Sequence, residues 1–183
     1  MTQKPAPTVT PSKTIPPLPP FPPQMHKVSY FANKFGPAIL TVRPGDTVEF
    51  YNNSPSLMWV ASDNHPTHRL YPKTGGCLGS VFDSCRSLGQ YSSWVFKFDI
   101  EGTWGYHNHA APAVTGVIKV VSPKPLLHFI RQGGLCPLNQ TCINELVVYK
   151  DNTYRYLINK KDEGGGNFPG DKINSLKTAM TLV

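Results

Sequence analysis

The chain has 183 residues, with 18 Lys and Arg against 11 Asp and Glu and a formal net charge of +7. That length allows one domain with a buried core, plus extras or a small second domain. The basic charges are scattered, with no Lys/Arg run or nucleic-acid motif, so the composition argues against nucleic-acid binding; no apolar run is long enough to span a membrane.

Prolines, 19 in all, crowd the start. Residues 1–25 form a Pro-rich linker in which helix and sheet are blocked and extended polyproline II is favoured. It reads as a plain spacer, with a membrane stalk or a ligand for a proline-binding partner as alternatives. The sequence itself contains no signal peptide, and the start Met1-Thr2-Gln3-Lys4-Pro5 is expected to follow a removed export or anchor segment. The expected location is therefore extracytoplasmic, with membrane contact only through a tether absent from this sequence.

Residues 26–122 turn to strands. Val28–Ala32, Lys34–Pro37 and Ile39–Val42 lead to the turn Arg43-Pro44-Gly45-Asp46, and Thr47–Tyr51 alternates cleanly. A long loop spans about residues 61–90. Tyr91–Asp99 alternates again, with Trp94, Phe96 and Phe98 on one face. A hairpin is expected at residues 100–102, followed by Thr103–Tyr106, and Val117–Val121 closes the set. Short strands with Pro/Gly turns predict an all-β, antiparallel sandwich.

Residues 123–183 read as a small β-rich appendage. Ser122–Pro125 looks like a linker. Glu145–Lys150 and Thr153–Tyr156 suit a hairpin about Asp151-Asn152. Gly164–Gly166 is expected to be flexible, and residues 172–183 to form an amphipathic helix. Asn139-Gln140-Thr141 matches a glycosylation sequon of little weight.

The four cysteines pair locally, Cys77 with Cys85 and Cys136 with Cys142. Disulfides in an oxidising compartment fit this spacing, while metal thiolate ligation competes for the first pair.

Of six histidines, four fall in two short motifs. His65 and His68 lie in Asp63-Asn64-His65-Pro66-Thr67-His68. His107 and His109 end the stretch Gly102-Thr103-Trp104-Gly105-Tyr106-His107-Asn108-His109. At i and i+2 the second pair points to one side of a strand, and Pro66 stiffens the first motif. Imidazole suits copper or zinc, and the divalent affinity order favours copper. Cys85 and Met58 are possible extra ligands, although Met58 beside Trp59 also suits core packing. His26 and His128 are isolated and carry no functional reading.

The phrase Val42–Asn53 resembles the opening of cupredoxins, the blue-copper β-sandwich family. Phe96–His109 followed by Gly116–Val120 resembles their closing strands, and the likeness covers about residues 28–121. The His-x-His after Gly-Thr-Trp-x-Tyr also resembles a motif of multicopper oxidase domains. The resemblance implies a cupredoxin-like Greek-key sandwich with copper at one pole. Its usual ligands are two His, one Cys and a weak Met. Here His109 keeps the spacing to Gly116 expected of the second copper His. Met58 falls nearest the first His position, Val114 stands at the axial Met position, and the last loop lacks Cys.

The leading expectation is a copper-binding protein that binds, stores or shuttles the ion through His65, His68, His107 and His109. Its partner would be a redox or copper-donor protein. One-electron transfer through an atypical site and a metal-free interaction module are the alternatives. An enzymatic reading is weaker, because no Ser/His/Asp order or carboxylate pair stands out.

Overall fold

The computed structural model describes residues 20–31, 33–132, 143–159 and 161–167. Most of the Pro-rich linker, the sequon and the helix expected over 172–183 lie outside these residues. So does the second expected disulfide: Cys136 and Cys142 both fall in the stretch 133–142, outside the described residues. The chain separates into two compact units. One is residues 22–125 with 149–151; the other is built on 126–148 and on 152 onward.

The first unit contains β1 (Met25–Phe31), β2 (Lys34–Gly36), β3 (Ile39–Val42), β4 (Thr47–Asn52), β5 (Val60–Ser62), β6 (Thr74–Gly75), β7 (Gly79–Ser80), β8 (Ser93–Lys97), β9 (Gly102–Asn108) and β10 (Ala111–Val120). Two four-stranded sheets run in the orders β2-β1-β4-β8 and β3-β10-β9-β5. Most pairs are antiparallel; β1 with β4 and β3 with β10 are parallel. This is the expected all-β sandwich, and its core lies between the sheets. Val28, Val48 and Phe50 enter from one side, and Val42, Tyr106, Ile118 and Val120 from the other. Phe50 meets Tyr106 edge-on with ring centroids 5.2 Å apart, a favoured aromatic geometry.

Alternation explains the strands. In β4, Val48, Phe50 and Asn52 point inward while Thr47, Glu49 and Tyr51 are half exposed, the period-2 signature of a half-buried strand. Trp94, Phe96 and Phe98 share the core-facing side as expected. The hairpin expected at residues 100–102 is absent. β8 pairs with β4, whereas β9 pairs with β10 and β5. The intervening residues therefore form an arch between sheets. Both strands carry core-facing aromatics, and the arch lets the two rows meet the same core from opposite sides. Phe98 and Tyr106 both contact Phe82, at 4.9 and 5.9 Å between centroids.

The long loop is more structured than its sequence suggests. β5 adds to the edge of β9, and β6 pairs with β7. Phe82, fully buried, projects from this loop into the centre of the core.

The second unit is one sheet in the order β11 (Pro125–Gln132), β12 (Ile143–Tyr149), β13 (Thr153–Ile158), β14 (Lys161–Asn167). The hairpin about Asp151-Asn152 is present. One expectation fails: Gly164–Gly166 pair with Tyr156–Tyr154 instead of forming a flexible break. Glycines offer no side chain to mark a strand face, so periodicity could not reveal β14.

Candidate metal centre

One end of the sandwich gathers all four clustered histidines. β9 carries His107 opposite Ala61 of β5. β10 passes His107 at Thr115, where the register shifts; such bulges re-aim side chains beside sites. The next residue, Asn108, is fully buried. Its Oδ1 accepts from the Trp59 and Ala110 N–H groups at 2.8 and 3.1 Å, and its Nδ2 donates to Leu57 O at 3.0 Å. The His109 N–H donates to Trp59 O at 2.7 Å. These bonds fix the strand end that presents both histidines.

His65 and His68 lie on a single tight turn. The His68 N–H and the Thr67 hydroxyl both donate to Asn64 O, at 2.8 and 3.2 Å. His68 has φ of 51°, a left-handed conformation uncommon outside glycine and found more often at functional sites. The turn is tied to β9 by the Asp63 N–H donating to Gly105 O at 3.0 Å. A Cβ at position 105 would press on Asp63 Oδ2, so a side chain there would displace that carboxylate.

The ligand atoms of His65, His68, His107 and His109 all lie within 4.8 Å of one another. His68 Nε2 and His109 Nδ1 are 2.9 Å apart. Adjacent ligands about 2 Å from an ion sit roughly 2.8–3.4 Å apart, depending on geometry. The widest pair therefore needs only small side-chain movements to close on an ion.

Two carboxylates stand behind the rings. Asp83 Oδ2 is 2.6 Å from His68 Nδ1, and both side chains are fully buried. Asp63 Oδ1 is 3.1 Å from His107 Nδ1. With each Nδ1–H donating to its carboxylate, Nε2 of His68 and of His107 is left bare. A carboxylate behind a ligating histidine fixes tautomer and orientation in this way. In the metal-free protein His109 Nδ1–H then donates to His68 Nε2. His107 Nε2 is buried and has no hydrogen-bond partner. Such an atom calls for an explanation, and a bound ion would give it the partner it lacks.

Burial holds His107 below the ordinary imidazole range against the opposing pull of Asp63, and nearby His68 and His65 lower it further. Burial also lowers His109, again with help from His68 and His65. Both rings are therefore neutral near pH 7, the state that binds metal. Donor type, convergence and the partnerless His107 Nε2 all fit a metal ion.

The sulfur residues are placed differently from expectation. Cys85 is bonded to Cys77 in a disulfide. Its sulfur is no thiolate, which corrects its reading as a ligand and bears out the pairing of these two. Of the disulfide candidates this is the one bridge among the described residues; Cys136 and Cys142 lie outside them. Met58 is fully buried in the core; the alternating chain turns Trp59 to the histidines instead. The Trp59 ring lies 4.5 Å from that of His109, and its Nε1–H donates to Asp83 Oδ1 at 2.7 Å. His26 and His128 each place Nε2 against a carboxylate, Asp46 at 2.9 Å and Glu145 at 2.6 Å.

Asp63, Asp83 and Trp59 escaped the sequence reading as site residues. One signal was present. Between Glu49 and Asp99 the only acidic residues are Asp63 and Asp83, and each backs a histidine.

No protein-family model and no curated protein matches the chain. Solved structures do. A purple cupredoxin from Nitrosopumilus maritimus is 17% identical, with a TM-score of 0.43 over 52% of this chain and 99% of that one. A reduced amicyanin variant is 22% identical, with a TM-score of 0.42 over 52% of this chain and 81% of that one. A Cu(I) form of another amicyanin variant gives 19%, 0.42, 52% and 81%.

Proposed function

We propose that this protein binds copper through His65, His68, His107 and His109, and that it stores or shuttles the ion outside the cytoplasm. The observation that carries the reading is the buried His107 Nε2, which lacks a partner and faces a cluster of imidazoles whose ligand atoms lie within 4.8 Å of one another. An all-imidazole set suits copper, with zinc as a substitute. Asp83 and Asp63 hold His68 and His107 in the binding tautomer, while Trp59 packs on His109 and helps exclude water. The Cys77–Cys85 disulfide supports an oxidising compartment. A redox or copper-donor protein is the partner that this role requires.

Copper titration of the purified protein tests the proposal. One equivalent should bind to the wild type, and His68→Ala/His109→Ala should abolish uptake. Cys85 is engaged with Cys77, so no intense sulfur-to-copper absorption should appear. Full copper occupancy in the double variant would rule out this site.

A further inference from the structure

We infer that His65 is the exchangeable ligand of the cluster, the group displaced when copper passes to or from a second molecule bearing imidazole donors. This rests on the copper-binding reading above and assigns unequal roles to the four rings.

Three of the rings are held in place before any ion arrives. His68 is fully buried and bonded to Asp83. His107 is buried and bonded to Asp63. His109 packs on Trp59, donates its backbone N–H to Trp59 O, and contacts His68 through Nδ1. His65 differs in exposure and hydrogen bonding. It is exposed, and among the described residues its ring has no hydrogen-bond partner. Yet it stays within reach, with its centroid 4.9 Å from that of His109 and 5.3 Å from that of His107.

A pre-oriented ligand that dissociates is returned to the ion by its neighbours. A solvent-facing ligand loses rotamer freedom on each rebinding and can be replaced from solvent. His65 is therefore the weakest link, and it stands on the accessible side. Exchange there is a simple substitution. A bond from an incoming imidazole nitrogen to copper forms as the bond to His65 breaks. The copper keeps its oxidation state, and the nitrogen released from His65 is hydrogen-bonded by water. The three anchored rings retain the ion until the acceptor has bound.

The test compares full-length wild type, His65→Ala and His107→Ala, each titrated with Cu(II). Three quantities are measured: affinity by chelator competition, number of coordinated imidazoles by pulsed electron paramagnetic resonance, and rate of transfer to the peptide Gly-Gly-His. Because His65 is exposed, its truncation should leave the fold intact, which thermal melting of the metal-free protein checks. His65→Ala should still take up copper, with one imidazole fewer. Its affinity loss should not exceed about tenfold, the low end of what even an orienting group contributes, and its transfer should be faster than that of the wild type. His107→Ala should lose far more affinity. An unchanged imidazole count in His65→Ala, an affinity loss equal to that of His107→Ala, or transfer no faster than the wild type would overturn this inference alone. A wild-type protein that takes up no copper would overturn the parent reading with it.

Discussion

Asp83→Asn is the sharpest probe of how the centre is built. Asp83 accepts three hydrogen bonds: from His68 Nδ1–H at 2.6 Å, from Trp59 Nε1–H at 2.7 Å and from the Cys85 N–H at 2.8 Å. Asparagine has almost the same shape but only one acceptor oxygen. If that oxygen stays with Trp59 and Cys85, the new NH2 group faces His68 Nδ1. It can be satisfied only when Nδ1 is bare, which moves the imidazole proton to Nε2, the nitrogen needed for the ion. The flipped amide instead sets NH2 against two donors. Loss of such an orienting partner lowers metal affinity by about 10–100-fold, or about 1.4–2.7 kcal/mol. The metal-free fold should also lose about 1.5–3 kcal/mol, the worth of a charge-assisted hydrogen bond. Chelator competition measures the first quantity, urea unfolding in EDTA the second, and nitrogen NMR of His68 reports the tautomer directly. A variant that is destabilised yet binds copper with wild-type affinity would show that the carboxylate supports the fold without setting the ligand.

Three further predictions test other links. Gly105→Ala should push Asp63 away from His107, lowering copper affinity about tenfold and stability by about 1–3 kcal/mol through overpacking; Asp63→Ala should reproduce the affinity loss with less effect on urea unfolding. Phe82→Ala should destabilise the metal-free protein by about 3–5 kcal/mol, the cost of emptying an aromatic site in a core, and a loss below about 1 kcal/mol would mean that Phe82 does not anchor the loop. Asp46 is buried, which by itself would raise its pKa, but the Arg43 and Gln24 N–H groups and His26 outweigh burial and hold it below the ordinary carboxylate value. Its stabilising effect is therefore complete above the unfolded pKa of about 3.9 and fades as pH falls through the lower folded value. Asp46→Asn should be less stable than wild type at pH 7, with the gap closing below about pH 4; a gap independent of pH would refute the assignment.

The sandwich was legible because β4 and β8 obey strict alternation and are bounded by turns. β5 was not, since its three residues are all buried and too few to show a period. The arch between β8 and β9 looked like a hairpin because local sequence marks a reversal but not which sheet receives the next strand. The loop around Cys85 is nevertheless tied to β5 by the bridge between Ala61 and Asp83. At the site, the four histidines stood out by clustering and do converge. The carboxylates behind them did not stand out, because lone Asp residues in a loop look like ordinary solvated charge. Of the two readings open to each sulfur residue, Cys85 follows the disulfide and Met58 the core packing. Short spacing identified the Cys77–Cys85 bridge correctly; the same argument applied to Cys136 and Cys142 concerns residues outside those described.

Trp59 gives the molecule an optical gauge. The chain has three tryptophans. Trp94 and Trp104 pack among core aromatics, against Phe82 and Tyr71 respectively, whereas the Trp59 indole lies 4.5 Å from His109. A paramagnetic Cu(II) ion at the histidines would darken its emission while a zinc ion left it bright. Arrival, departure and identity of the ion could then be followed by fluorescence in the unlabelled wild-type chain.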